Sequence, residues 1–114
     1  MKRRPPGKSF SIIPLQEGRR EVCEALMRVL PDWFQVESAI KEISEEADHL
    51  DSFAAWSGDR VVGMVVLKKH FQESAEVFFM AVRPEVHRQG IGKALLQTAE
   101  THLCALGIRL LQVK

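Results

Sequence analysis

A glycine-containing segment, Met80–Leu96, has the residue types and spacing of an anion-binding turn. An apolar run ends at Val82, a polar stretch follows, and Gly90–Lys93 (GIGK) opens an amphipathic stretch. Glycine lets a backbone turn sharply and approach a ligand closely. The first N–H groups of a helix have no partner within the helix, and the helix dipole adds positive potential there. The segment therefore predicts a phosphate or pyrophosphate site, to which Arg88 adds positive charge.

Two common phosphate-binding patterns do not match this segment. The pattern GxxxxGK[ST] fails because His87 stands at its first glycine and Ala94 at its Ser or Thr. The dinucleotide pattern GxGxxG fails because Leu95 stands at its third glycine. On these residues alone, a tight turn onto a helix without any ligand stays open as the alternative.

Hydrophobic periodicity predicts the elements that position this segment, in the order strand, helix, helix, three strands, helix, strand. The predicted strands are 9–15, 51–56, 61–69, 75–82 and 108–113, and the predicted helices are 19–30, 35–50 and 90–106. Pro14 restricts the first strand to an edge or an end. Strands joined by hairpins are antiparallel, whereas the strand–helix–strand unit 75–113 requires a parallel pair. We expect an α/β (α+β) fold with a mixed, mostly antiparallel sheet and helices on both faces.

Each predicted helix has one apolar face that should pack on this sheet. The faces consist of Val22, Leu26, Val29 and Trp33; of Val36, Ile40, Ile43, Ala47 and Leu50; and of Ile91, Leu95, Ala99, Leu103 and Leu106. Gly107 is a typical residue to end the last helix. Residues 61–67 (VVGMVVL) are apolar on both faces, which predicts a central strand.

The composition is that of a soluble globular chain, with 114 residues, 46% hydrophobic and 27% charged residues and a net charge of +1. We predict a single domain at residues 9–114 after a basic tail at residues 1–8. No run approaches the roughly 18 apolar residues of a membrane span, and the N-terminus lacks the apolar segment of a secretion signal. We expect a cytoplasmic protein that binds neither nucleic acid nor a membrane.

The cysteine and histidine residues give little support for a metal site or a thiol nucleophile. Cys23 and Cys104 lie in predicted helices, and their spacing fits no metal motif. We expect both to be buried free thiols. His49 and His102 are expected on the surface of helices, so no metal is predicted.

The segment 82–96 (VRPEVHRQGIGKALL) resembles the coenzyme A signature [QR]-x-x-G-x-[GA] of the GNAT (GCN5-related) N-acetyltransferases. Flanking segments extend the resemblance: SGDRVVGMVVL resembles the family's central hairpin, AEVFFMAV its fourth strand and ALGIRLLQVK its fifth. The resemblance covers residues 9–114. It departs at His87, where the family has Gln or Arg, although Arg88 and Gln89 follow immediately.

The resemblance implies an acetyl-CoA-dependent N-acetyltransferase, in which a primary amine attacks the bound thioester without an acyl-enzyme. In that family the bulged fourth strand splays from the fifth, and pantetheine pairs with its backbone. Carried over, the backbone of Met80 and Val82 binds pantetheine, and the Met80 N–H stabilises the oxyanion. The amides implied at the pyrophosphate are those of Arg88, Gln89, Gly90, Ile91, Gly92 and Lys93.

Glu76 is the best candidate for the general base that removes the amine proton. It lies on the predicted fourth strand, where some family members place a catalytic glutamate. An edge glutamate that faces solvent is the alternative interpretation. His70 and Glu73, in the loop before that strand, are weaker candidates.

The C-terminal part of the family's fold is missing from the sequence. The family's usual thiol-protonating residue is a tyrosine on a helix after the fifth strand, but this chain has no tyrosine and ends at Lys114. We therefore expect a fragment of a longer protein, or a homodimer that covers the open sheet edge. A non-catalytic acyl-CoA-binding or regulatory module is the alternative function, and a bare interaction domain is the third.

The acceptor implied by the family is a small-molecule or peptide amine. The segment Asp32-Trp33-Phe34 and an acidic face of the second predicted helix suggest a cationic amine with an apolar part. That face carries Glu37, Glu42, Glu45, Glu46 and Asp48. A solvated acidic surface explains the same residues.

Overall fold

A computed structural model describes residues 10–30, 36–70, 74–108 and 110–113. The strands are β1 (Ser11–Pro14), β2 (Asp51–Ser57), β3 (Arg60–Lys69), β4 (Ser74–Val82) and β5 (Leu110–Val113). The helices are α1 (Arg19–Arg28), α2 (Glu37–Ala47) and α3 (Ile91–Ala105), with a short 3-10 turn at Pro84–Val86. The predicted basic tail at residues 1–8 lies outside the described residues. No helix in the described ranges is long and apolar enough to cross a membrane.

The five strands form one sheet in the order β1-β2-β3-β4-β5. The first three pairs are antiparallel, and β4 pairs with β5 in parallel. Pro14 is the last residue of β1, which within the described part of the chain pairs with β2 alone, so the missing N–H of proline removes no central hydrogen bond. The predicted mixed, mostly antiparallel sheet with helices on both faces is confirmed.

Two apolar layers cover the sheet, because β3 and its neighbours are apolar on both faces. We call them the α3 face and the α1/α2 face after the helices that cover them. The α3 face includes Phe53, Val65, Leu67, Val77, Ile91, Leu95, Ala99 and Leu103. The α1/α2 face includes Leu26, Met27, Ile40, Ala47, Met64, Val66, Phe79 and Ala81. Helix α1 buries Cys23, Leu26 and Met27, whereas Val22 and Val29, predicted on its buried face, are only partly buried.

Three predictions of burial are wrong at helix ends. Leu106 was expected in the core and is 50% exposed, because α3 stops at Ala105 and Gly107 reverses the chain with a φ of 81°. Val36 is 59% exposed because it precedes the first turn of α2. Cys104 is exposed rather than buried, whereas Cys23 is buried as expected.

Gly63 on β3 lets α3 approach the sheet closely. A Cβ atom at this position would lie 3.2 Å from the Ala81 carbonyl oxygen and 3.3 Å from side-chain atoms of Ile91 and Leu95. The contact fixes the N-terminal turn of α3 beside the last residues of β4, since Gly63 is paired with Val82. This packing places the predicted anion-binding turn at the end of the fourth strand.

Candidate functional site

A β-bulge interrupts β4 at Phe78. Val66 pairs with Phe79 while Leu67 pairs with Val77, so Phe78 is an extra residue between them. Both Phe78 and Phe79 pack in the layer on the α1/α2 face. Odd-numbered residues such as Val77 face α3 before the bulge, whereas even-numbered residues face α3 after it. Met80 and Val82 therefore pack on the α3 face.

The part of β4 beyond the bulge presents backbone groups along one side. β5 pairs with Ser74–Val77 only, so Phe78–Val82 have no strand neighbour on that side within the described residues. The Arg83 N–H donates to the Val62 carbonyl on β3 at 2.8 Å. Because backbone groups alternate in direction along a strand, those of Met80 and Val82 point away from β3. This edge can accept an extended ligand as a further strand.

The loop between β4 and α3 turns sharply at Gly90, as predicted, and also at Arg88, which was not predicted. Gly90 has a φ of 81°, and Arg88 has a φ of 74°, which is strained for a residue with a side chain. Helix α3 has no side-chain cap at its N-terminus, and its first intrahelical bond joins the Ala94 N–H to the Gly90 carbonyl. A Cβ atom on Gly90 would meet nothing within 4 Å. Uncapped amides beside open space make a suitable anion site.

His87, where the chain departs from the signature, ties this loop to the end of β4. Its Nε2 lies 2.9 Å from the Val82 carbonyl oxygen, so an imidazole with its proton on Nε2 donates to that carbonyl. Arg83 adds a second tie through its Nε, which donates to the Val61 carbonyl at 3.1 Å. The Arg60–Glu85 ion pair at 2.6 Å also links the hairpin to the loop. The sequence did not reveal the His87 contact, because nothing in the spacing indicates where the imidazole points.

Glu76 lies on β4 before the bulge and is 6% exposed. The alternative of an edge glutamate facing solvent is therefore wrong. The His70 Nε2 lies 2.5 Å from the Glu76 Oε1, which brings together two of the candidate bases. The third candidate, Glu73, lies outside the described residues.

Lys68 connects this pair to α2. Its Cα is paired with that of Glu76 across the β3–β4 ladder. Its Nζ, however, lies 2.5 Å from the Glu46 Oε2 and 5.6 Å from the centre of the Phe78 ring. The hydrogen bond to Glu46 raises the pKa of Lys68, and the charge of Glu76 adds to that effect. The Lys68 side chain is thus a cation at neutral pH, and it lies near the carboxylates of Glu46 and Glu76.

Other titratable side chains lie away from this site. His102, expected on the surface, is half-buried: its Nε2 lies 3.2 Å from the Asp51 Oδ2, and its ring meets Phe53 edge-on at 5.1 Å. Burial, with a smaller effect from Glu24, raises the pKa of the Cys23 thiol to about 12. Among the described residues, no three His, Cys, Asp or Glu side chains cluster as metal ligands.

The features suggested for the acceptor are only partly visible. Asp32-Trp33-Phe34 lies outside the described residues. On α2, the Glu37 carboxylate is bound by the Arg28 guanidinium at 2.8 Å, and Glu46 is bound by Lys68. Glu42 and Glu45 are exposed. Two of the acidic side chains of α2 therefore already have cationic partners.

Comparisons with known proteins agree with this geometry. Residues 19–114 match the model of the acetyltransferase (GNAT) family. The chain is 24% identical over 102 residues to the mycothiol acetyltransferase of Actinosynnema mirum. The matched region is 90% of this chain but only 30% of that protein. The fold is similar to that of a GNAT-family acetyltransferase of Streptococcus pneumoniae, with a TM-score of 0.74 at 23% identity over 92% of this chain and 74% of that one. It is also similar to the aminoglycoside N-acetyltransferase AAC(6')-Iy in complex with CoA, with a TM-score of 0.66 at 17% identity over 92% and 76% of the chains.

Proposed function

Because the chain belongs to the acetyltransferase (GNAT) family, we propose that it transfers an acetyl group from acetyl-CoA to a primary amine. The observation that carries this proposal is the end of β4. There a bulged strand edge leads through a short loop into an α-helix without a side-chain cap. The strand edge suits an extended amide-containing arm, and the N-terminus of α3 suits a pyrophosphate.

The residues present fit acetyl-CoA, which supplies the acetyl thioester. The backbone of Met80 and Val82 binds the pantetheine arm along the edge that β5 leaves uncovered. The amides from Arg88 to Lys93 bind the pyrophosphate, helped by the exposed side chains of Arg88 and Lys93. The open space beside Gly90 leaves room for the phosphate oxygens.

In the proposed reaction the amine attacks the acetyl carbonyl carbon directly. A C–N bond forms and the C–S bond breaks, and the CoA thiolate takes up a proton from solvent to leave as the thiol, which balances the proton that the amine loses. Glu76 accepts the proton that the amine loses, directly or through water. The Met80 N–H donates to the carbonyl oxygen as negative charge develops on it.

Calorimetric titration with acetyl-CoA tests the binding half of the proposal. We expect one site per chain, lost in Gly90→Glu because a carboxylate would occupy the anion site. Gly107→Glu is the matched control, since Gly107 also has a φ of 81° and open space around it but lies at the other end of α3. Equal binding by both variants would contradict the site.

Release of CoA in the presence of a panel of primary amines tests the chemical half. We expect turnover that falls by a factor of about 10² or more in Glu76→Gln. Acetyl-CoA binding without turnover would favour the second candidate function, a non-catalytic acyl-CoA-binding module.

A further inference from the structure

Two basic side chains, Lys68 and His70, lie at the end of β3 beside the buried carboxylate of Glu76. Lys68 is paired with Glu76 across the β3–β4 ladder, and His70 directly follows the last residue of β3, where its N–H donates to the Ser74 carbonyl at 2.9 Å. Burial makes an ionised carboxylate expensive unless charged or polar groups bind it. The choice of partner therefore determines how Glu76 can act as a base.

The geometry favours His70 over Lys68 in direct contact with Glu76. The Lys68 ammonium is held by the Glu46 Oε2 and lies against the Phe78 ring. The His70 imidazole instead reaches the Glu76 Oε1 at 2.5 Å. Its side chain is 37% exposed while that of Glu76 is 7% exposed, so the imidazole connects the buried carboxylate with solvent.

The two protonation states of His70 have opposite effects on the carboxylate. A neutral imidazole with its proton on Nε2 donates a hydrogen bond to Oε1 and adds no positive charge beside the carboxylate. An imidazolium adds a positive charge at the same place, and a carboxylate beside a cation is a weaker base. Among the described residues, the other charges near this pair are Lys68 and Glu46, which form an ion pair, while Lys69 pairs with Asp51 at 3.5 Å.

From this arrangement we infer that His70 is a positioning residue that acts through Glu76: its neutral imidazole orients the buried carboxylate as the base, and its protonation switches that base off. The inference rests on the proposed function. The step it serves is the transfer of one proton from the attacking amine nitrogen to the Glu76 carboxylate.

The test compares two replacements of His70 that separate orientation from titration. His70→Gln keeps an N–H donor that never becomes cationic, whereas His70→Leu removes the donor. His49→Gln is the control, because His49 is exposed in the turn after α2. Each variant is measured for acetyl-CoA binding by calorimetry and for amine-dependent CoA release from about pH 6 to about pH 9.

We expect His70→Leu to lower kcat about tenfold or more with unchanged acetyl-CoA affinity. His70→Gln should keep most of the activity at alkaline pH and lose less activity than the wild type toward acidic pH. Full activity in His70→Leu, or a pH profile of His70→Gln identical to that of the wild type, would overturn the inference alone. If His70→Leu does not fold, the profile of His70→Gln decides. A wild-type chain without turnover would instead overturn the proposed catalysis, and this inference with it.

Discussion

The imidazole of His87 and the carbonyl of Val82 are hydrogen-bonded at 2.9 Å, so the loop before α3 is tied to the end of β4 by a side chain. Val82 is one of the two residues whose backbone is proposed to bind pantetheine. A carbonyl oxygen has two lone pairs and can accept a second hydrogen bond. The contact therefore orders the loop without removing Val82 as an acceptor.

Replacing His87 should change acetyl-CoA affinity according to whether the new side chain can donate. A hydrogen bond of this kind contributes about 0.5–1.5 kcal/mol, so we expect His87→Ala to weaken binding by a few-fold. His87→Gln places a family residue at this position and retains a donor, so its affinity should stay close to that of the wild type. Tighter binding by His87→Ala in calorimetry would show instead that His87 competes with the cofactor.

The close approach of α3 to β3 should make Gly63 intolerant of a methyl group. In Gly63→Ala the new Cβ would lie 3.2 Å from the Ala81 carbonyl oxygen, and such overpacking costs about 1–3 kcal/mol. Gly92→Ala is the matched control, because its Cβ would lie 3.9 Å from the nearest atom of Val82, and a helical Gly→Ala change stabilises by about 0.5–1 kcal/mol. Urea unfolding measures both. A Gly63→Ala chain as stable as the wild type would contradict the packing.

The strained backbone of Arg88 predicts a difference between two replacements that remove the same charge. Because the φ at position 88 is 74°, glycine should be more stable there than a residue with a Cβ, by about 1–2 kcal/mol in the free energy of unfolding. We expect Arg88→Gly to be more stable than Arg88→Ala by about that amount in urea unfolding. Both should weaken acetyl-CoA binding to a similar extent, because both lack the guanidinium. Equal stability of the two variants would show that the loop relaxes.

The two thiols should differ in reactivity toward an aromatic disulfide reagent. Cys104 is exposed, whereas Cys23 is buried and its pKa is raised to about 12, so little thiolate forms at neutral pH. We expect one thiol per chain to react in the folded protein and two after unfolding. In Cys104→Ser, rapid labelling of the folded protein should disappear. Rapid labelling of that variant would show that α1 opens readily.

The Asp51 carboxylate should contribute to stability in a pH-dependent way. Burial raises its pKa, but the hydrogen bond from His102 and the charge of Lys69 outweigh this, so the pKa lies below the ordinary aspartate value. The contribution is complete above that value, about 4, and is lost as the pH falls through the folded-state pKa.

We expect the difference in free energy of unfolding between the wild type and Asp51→Asn to shrink as the pH falls from about 6 to about 3. Asp59→Asn, in the exposed hairpin turn, serves as the control. A difference that stays constant over this range would mean that the pairs with His102 and Lys69 do not form in solution.

The sequence predicted the framework well because periodicity and breakers act locally. Pro14, Gly107 and the double-faced apolar run of β3 each predicted a feature that the structure has. The boundaries moved by a few residues, and Leu106 and Cys104 were misjudged because a helical pattern does not show where the last turn meets solvent.

The contacts of the candidate site could not be predicted in the same way. The pair of His70 and Glu76 depends on the register of β3 against β4, which the spacing of residues along the chain does not specify. The bulge at Phe78 was expected only from the family resemblance, since two consecutive phenylalanines fit a buried strand with or without an extra residue. The buried state of Glu76 follows from the α2 layer above it.

The bulge also constrains the number of residues in β4, independently of which residues occupy it. Because Phe78 is the additional residue, Glu76 lies on the α1/α2 face while Met80 lies on the α3 face, although the two are an even number of residues apart. Inserting a further residue between them without a second bulge would bring both onto the same side, whereas deleting Phe78 would remove the bulge and leave them three residues apart on opposite sides. Homologous or redesigned chains can therefore exchange Phe78 for another large apolar side chain, but we expect insertions to be confined to the loops on either side of the strand.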